Sequence, residues 1–222
     1  MCGKFTQLAT WEEVVAFSQP MTVTADKSGI VVATPMRFAS IMRLHAAGRR
    51  EMVSMRWGFA GKGDATPRRP KHIHARCETI DTKPTFAEAF VRGRGILFTH
   101  TFNEGEELPS GKTKQWVITP KDNKPIAIAV ICEEWRNGAE ALHTFIQVTT
   151  PANALISRIT DRMPAILCED DWPLWLGETD APLAQVKGAL GMFEDGGNWM
   201  MVEQEASRKA KPRTVNSQQI LL

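Results

Sequence analysis

The side chain best suited to covalent chemistry stands in the opening residues, MCGKF, where Cys2 directly follows the initiator methionine. A methionine before so small a residue is normally trimmed, which leaves Cys2 carrying a free α-amine and a thiol, a 1,2-aminothiol. The unperturbed amine titrates near about 7.7 to 8.0 and the thiol near about 8.5, so both have reactive forms at neutral pH. Such a pair condenses with aldehydes. Two other segments carry groups that a condensation uses. KHIHARCET holds His72, His74 and Arg76 at a period of two, which on a strand projects all three from one face. FTHTFNEGEE puts Glu104 just beyond an expected strand end, where a rigid strand aims a carboxylate and a loop leaves it accessible. A zinc site from His72, His74 and Cys77 is disfavoured, because on a regular strand Cys77 faces away from both histidines.

The elements that must hold these groups are legible in outline. Capping boxes at Thr10/Glu13 and Thr85/Glu88 predict two short helices, and RFASIMRLHAAGRREMVSMRWGF predicts two strands around an Ala-Gly turn. Further strands are expected at GILFTHTF, QWVITP, PIAIAVICEEW, TFIQVTT, PAIL and NWMMVEQE, and helical segments at PANALISRI from Pro151, DDWPLWLG and PLAQVKGALGMF. NEGEE reads as a solvated acidic loop. Trp172 and Trp175, three apart beside leucines, read as core. Runs of strands with few helices and no regular βαβ alternation point to α+β: a strongly curved, mostly antiparallel sheet or barrel-like β core with a few short flanking helices.

Composition narrows the function classes. At 222 residues, 43% hydrophobic and 23% charged, the chain is globular, neither disordered nor fibrous, and most economically one domain. No apolar run approaches the roughly 18 residues of a membrane span, and no signal peptide opens the chain, so a cytoplasmic protein is expected. Cys2, Cys77, Cys132 and Cys168 lack CxxC spacing, which disfavours a disulfide framework, and the last three are expected as buried thiols. The net charge of +2 does not announce a nucleic-acid binder, but basic residues cluster at 48–51, 67–72, 92–94 and 208–213. The Pro/Gly-rich stretch 60–70 is expected as a surface loop.

Taken together, MCGKF, MRWGF, HARCET, FTHTFNEG, QVTTPAN and TDRMPAIL resemble, in order and separation, the motifs of the SRAP (SOS response-associated peptidase) family, which crosslinks to abasic sites in single-stranded DNA. The resemblance runs nearly end to end and implies a single SRAP-like domain over 1–222. It implies that Cys2, exposed by removal of Met1, closes a thiazolidine on the ring-opened sugar aldehyde, and that Glu104 moves protons. Arg76 falls on an arginine that contacts phosphate, Lys4 replaces an arginine, and Trp57 lies in the segment that frames the abasic nucleotide. Thr149 and Arg162 fall on positions near the bound DNA. The implied partner is single-stranded DNA with an abasic site, met by a monomer without cofactor, metal or membrane, at the nucleoid if bacterial.

The departures are as specific as the matches. His74 stands where the family has asparagine, and Thr160 where it has histidine. Phe102, Asn103 and Gly105 replace aromatic residues around Glu104, and Val31 replaces an asparagine. One explanation is that His74 supplies the imidazole missing at Thr160, and crosslinking continues. The other is a DNA-binding module with weak or no crosslinking. A Met-Cys-Gly start also resembles amidotransferases with an N-terminal cysteine nucleophile, although the later segments do not match them.

Overall fold

The computed structural model describes residues 4–7, 31–61, 65–67, 69–194 and 197–204. Cys2, the Thr10/Glu13 helix, the basic tail at 208–213 and parts of the 60–70 loop lie outside the described residues. In chain order the described strands are β1 (Lys4–Gln7), β2 (Val31–Ala33), β3 (Phe38–Leu44), β4 (Arg50–Trp57), β5 (His74–Arg76) and β6 (Arg94–Thr99). They continue as β7 (Thr101–Glu107), β8 (Thr113–Pro120), β9 (Ile126–Asn137), β10 (Glu140–Pro151), β11 (Arg162–Pro164) and β12 (Trp199–Glu203). Helices are short: α1 (Pro84–Arg92), α2 (Trp172–Leu176) and α3 (Leu183–Gly188). No helix among the described residues is long and apolar enough to cross a membrane.

Two sheets result. One runs β12-β8-β7-β1-β2, antiparallel throughout. The other runs β11-β10-β4-β3-β6-β9, with β5 added against β10. Because β9 pairs with both β6 and β10, this second sheet bends back on itself. Among the described residues only the pairings of β10 with β4 and β5 are parallel. The architecture is the expected α+β with a strongly curved, mostly antiparallel sheet.

The run IAIAVIC in β9 explains why the curved sheet sits centrally. Ala127, Ala129 and Ile131 point into one core, whereas Ile128, Val130 and Cys132 point into the other. A strand covered on both faces reads as unbroken apolar sequence rather than as alternation. The first core lies under the helices, where Trp172 packs edge-on to Phe98 and Trp175 tilts against Phe90. The second contains Trp57, Phe102, Phe145 and Trp199, and draws on strands of both sheets. The two tryptophans of DDWPLWLG are therefore core residues.

Several expectations need correction. Helix α1 begins at Pro84, with Lys83 extended before it and no side-chain cap bond, so the Thr85/Glu88 capping box is not formed. Proline at the first helical position has no N–H to leave unpaired and a preset φ. The helix ends at Gly93, where any Cβ would collide with the carbonyl oxygen of Cys132. PANALISRI is not a helix from Pro151: that residue ends β10, and only Ile156–Arg158 forms a turn of 3-10 helix. Buried Asn153 sets this turn by accepting from the Ile156 N–H at 3.1 Å and donating to the Phe193 carbonyl at 3.1 Å. The short strand expected at PAIL lies instead at Arg162–Pro164. NEGEE is no loop: it belongs to β7, whose residues 102–107 are all paired with β8. Of the three thiols expected buried, only Cys132 is; Cys77 is half-buried and Cys168 exposed.

Candidate functional site

Strand β5 is three residues long, yet its register determines what the site presents. Ala75 pairs with Val148, and both face the first core. The flanking pairs, His74 with Gln147 and Arg76 with Thr149, therefore project from the opposite face. His74 is half-buried and Arg76 exposed. His72 does not join them. It precedes the strand and sets its ring edge-on to Phe86, with 5.3 Å between centroids, so the expected row of three side chains is a row of two.

Trp57 lies beneath His74. It is 0% exposed, stacks on Phe145 at 6.3 Å and meets the His74 ring edge-on at 5.9 Å. Its indole N–H donates to the Ile73 carbonyl at 3.0 Å, which ties the end of β4 to the residue before His74. An indole so placed has no face to offer a nucleotide. The contact expected between Trp57 and DNA is, in this structure, a contact between Trp57 and His74.

Arg162 is similarly committed. It is 8% exposed, donates to both carboxylate oxygens of Glu78 at 2.5 and 2.9 Å, and donates to the Thr149 carbonyl at 2.7 Å. The Thr149 hydroxyl donates to the Ala75 carbonyl at 3.4 Å. These bonds join β11, β10 and the turn of 3-10 helix after β5, so Arg162 and Thr149 fix the strands that present His74 and Arg76. The hydrogen bonds from Arg162 hold the Glu78 carboxyl down at about 2, well below its usual value. Burial pushes the neighbouring Cys77 thiol up.

Glu104 comes from the other sheet. It does not follow a strand end; it lies within β7, opposite Trp116, and is 1% exposed. A carboxyl group is costly to keep away from water, and its ionised form more so. Asn103, next to it, pairs with Lys4 of β1 and donates to Gln204 at 3.1 Å. Phe102 is buried edge-on to Trp199 and offers no open stacking surface. Thr160 is half-buried just after the 3-10 turn, its N–H bonded to the Ile156 carbonyl. Trp57 under His74, Trp116 opposite Glu104 and Ile159 before Thr160 all pack on the second core. The elements bearing His74, Glu104 and Thr160 thus share one core. Cys2 lies outside the described residues.

Two participants were missed in the sequence. Glu78 stands inside HARCET, and its pairing with Arg162 spans 84 residues, beyond any local signal. Gln147 did leave a trace, as the polar residue in the apolar run TFIQV.

With this geometry the chain can be placed. It belongs to the SOS response associated peptidase (SRAP) family, whose model matches residues 1–208. It is similar to the abasic site processing protein YoqW of Bacillus subtilis (strain 168), 26% identical over 181 residues that cover 79% of this chain and 80% of that one. The abasic site processing protein YoaM of the same organism is 28% identical, with 79% of each chain covered. The abasic site processing protein HMCES of Gallus gallus is 26% identical over 161 residues, 61% of this chain and 48% of the longer relative. Among solved structures, a protein from Bordetella bronchiseptica superposes with a TM-score of 0.76 at 21% identity, covering 92% of this chain and all of that one. One from Bacteroides thetaiotaomicron gives 0.75 at 24%, covering 91% of each. These two likenesses establish the fold.

Proposed function

We propose that this protein binds single-stranded DNA and captures abasic sites covalently through Cys2 once Met1 has been removed. The observation that carries the reading is the buried Glu104 of β7, adjacent to the residue that pairs with Lys4. Cys2 is two residues from Lys4, and two residues of chain span at most about 7 Å. In this reading the aminothiol works together with the buried Glu104 carboxyl. The names of the relatives, abasic site processing proteins, supply the substrate class.

The chemistry balances without any added cofactor. The Cys2 amine attacks the C1′ aldehyde of the opened sugar, and loss of one water leaves an imine. The Cys2 sulfur then adds to the imine carbon, the nitrogen takes up a proton, and a thiazolidine ring closes. Glu104 protonates the departing hydroxyl and accepts a proton from the amine or thiol. His74 assists that proton traffic where Thr160 provides no imidazole. Arg76, on the same face and exposed, takes a backbone phosphate together with Lys4, whose ammonium contributes charge without a bidentate fork. Trp57, Thr149 and Arg162 act as positioning residues behind His74 and Arg76.

The test is a denaturing gel of purified protein, its N-terminus verified by intact mass, mixed with an oligonucleotide bearing one abasic aldehyde. A shifted band with the aldehyde but not with a stable aldehyde-free analogue, absent in Cys2→Ala and slowed in Glu104→Gln, is the expected result. No band from protein with a free Cys2 amine would leave a DNA-binding relative that does not crosslink.

A further inference from the structure

Gln147 lies on β10 directly opposite His74, and both project from the face turned away from the first core. On that face Phe145, two residues before it, stacks on Trp57, and Thr149, two residues after it, bonds to the Ala75 carbonyl. The Gln147 side chain is 0% exposed, and neither its Oε1 nor its Nε2 has a hydrogen-bond partner. A carboxamide closed off from water with both ends unpaired works against folding, whereas methionine or leucine of similar volume would not. The position therefore bears a stability penalty that packing does not explain, beside the residue placed at the reacting group.

We propose that Gln147 is a specificity-determining residue whose carboxamide receives a hydroxyl of the opened abasic sugar as the sugar enters beside His74. This rests on the covalent-capture reading above. Opening the sugar hemiacetal exposes the C1′ aldehyde and simultaneously turns the ring oxygen into a C4′ hydroxyl. That hydroxyl both donates and accepts, as a carboxamide does, so Nε2–H donates to it or Oε1 accepts from it. A hydroxyl that reaches this carboxamide supplies the hydrogen bond the free protein lacks, whereas an analogue without one leaves it as unpaired as before and gains nothing. Gln147 would in this way separate the opened sugar from simple aldehydes, to which an aminothiol alone is indifferent.

The experiment compares the parent with Gln147→Leu and the near-isosteric Gln147→Met on two oligonucleotides. One carries an abasic site, and the other an unsubstituted alkyl aldehyde at the same position. Both variants are expected to unfold at higher urea concentration than the parent and to capture abasic DNA roughly tenfold more slowly, the loss of one neutral hydrogen bond. Capture of the hydroxyl-free aldehyde is expected at the parental rate. Equal slowing on both substrates, or none on either, overturns the assignment of Gln147 while leaving covalent capture intact. A parent that captures neither aldehyde overturns both.

Discussion

Arg76 and Arg162 are carried by strands that both pair with β10, yet only Arg76 reaches solvent. What separates them is Glu78, which lies two residues after Arg76 and accepts with both carboxylate oxygens from Arg162. The pairing carries a pH signature. The Glu78 carboxyl is held at about 2 against an ordinary 4.5, so its contribution is complete above about 4.5 and disappears as pH falls toward 2. The Glu78 side chain is 46% exposed, which reduces the value of the pair well below that of a fully buried one. Glu78→Gln is expected to cost about 1 kcal/mol at neutral pH. The difference in urea midpoint between parent and variant should shrink as pH is lowered from 4.5 to 2. A difference that stays constant over that range would mean that Glu78 acts through packing and not through its charge.

The link between β2 and β3 is strained in a way that a single substitution can relieve. In Thr34-Pro35-Met36-Arg37 the Arg37 N–H donates to the Thr34 carbonyl at 3.0 Å, and Met36 adopts φ 76°. Proline second and a positive φ third describe a type II turn, in which glycine is the residue without steric cost at the third position. Met36 is also 41% exposed, so its side chain recovers little by burial. Its N–H donates to the Trp57 carbonyl at 2.9 Å, which anchors the turn to the strand end that supports His74. Met36→Gly keeps that backbone bond and is expected to stabilise by about 0.5 to 1 kcal/mol, the left-handed penalty less the entropy of glycine. In thermal denaturation this is a rise of about 2 °C. A fall in the midpoint would show that the Met36 side chain contributes more than its backbone costs.

Charge over the entire protein is nearly balanced, at a formal +2, so attraction to DNA depends on where cations are left free rather than on how many there are. Salt bridges occupy Arg43 with Glu51, Arg50 with Glu178, Lys187 with Asp81 and Arg162 with Glu78. Binding to single-stranded DNA is accordingly expected to weaken with added salt, by a slope of about −0.7 in log K against log salt for each phosphate contacted. Arg76→Gln should make that slope shallower by about 0.7 and weaken binding similarly on all sequences. Fluorescence anisotropy with the same oligonucleotide across a salt series measures both. An unchanged slope would remove Arg76 from the phosphate contacts.

The α+β class, most of the strands and the motif residues were legible in the chain itself, because alternation and apolar runs are local consequences of a sheet's two faces. The hairpin of β3 and β4 around Gly48, at φ 74°, was read almost to the residue for this reason. The period of two likewise put His74 and Arg76 on one face, as the register of β5 against β10 has them. Long-range pairing decided the rest. NEGEE became a strand because β8 satisfies its backbone, and PANALISRI lost its helix because β11 pairs with the end of β10 and Asn153 holds the turn. Whether Arg162 met solvent or Glu78, and whether Trp57 faced a ligand or lay under His74, turned on burial and on partners far away in the chain. Side-chain identity carries the chemistry a residue is capable of, but which groups are freed for it is set by the contacts that surround them after folding.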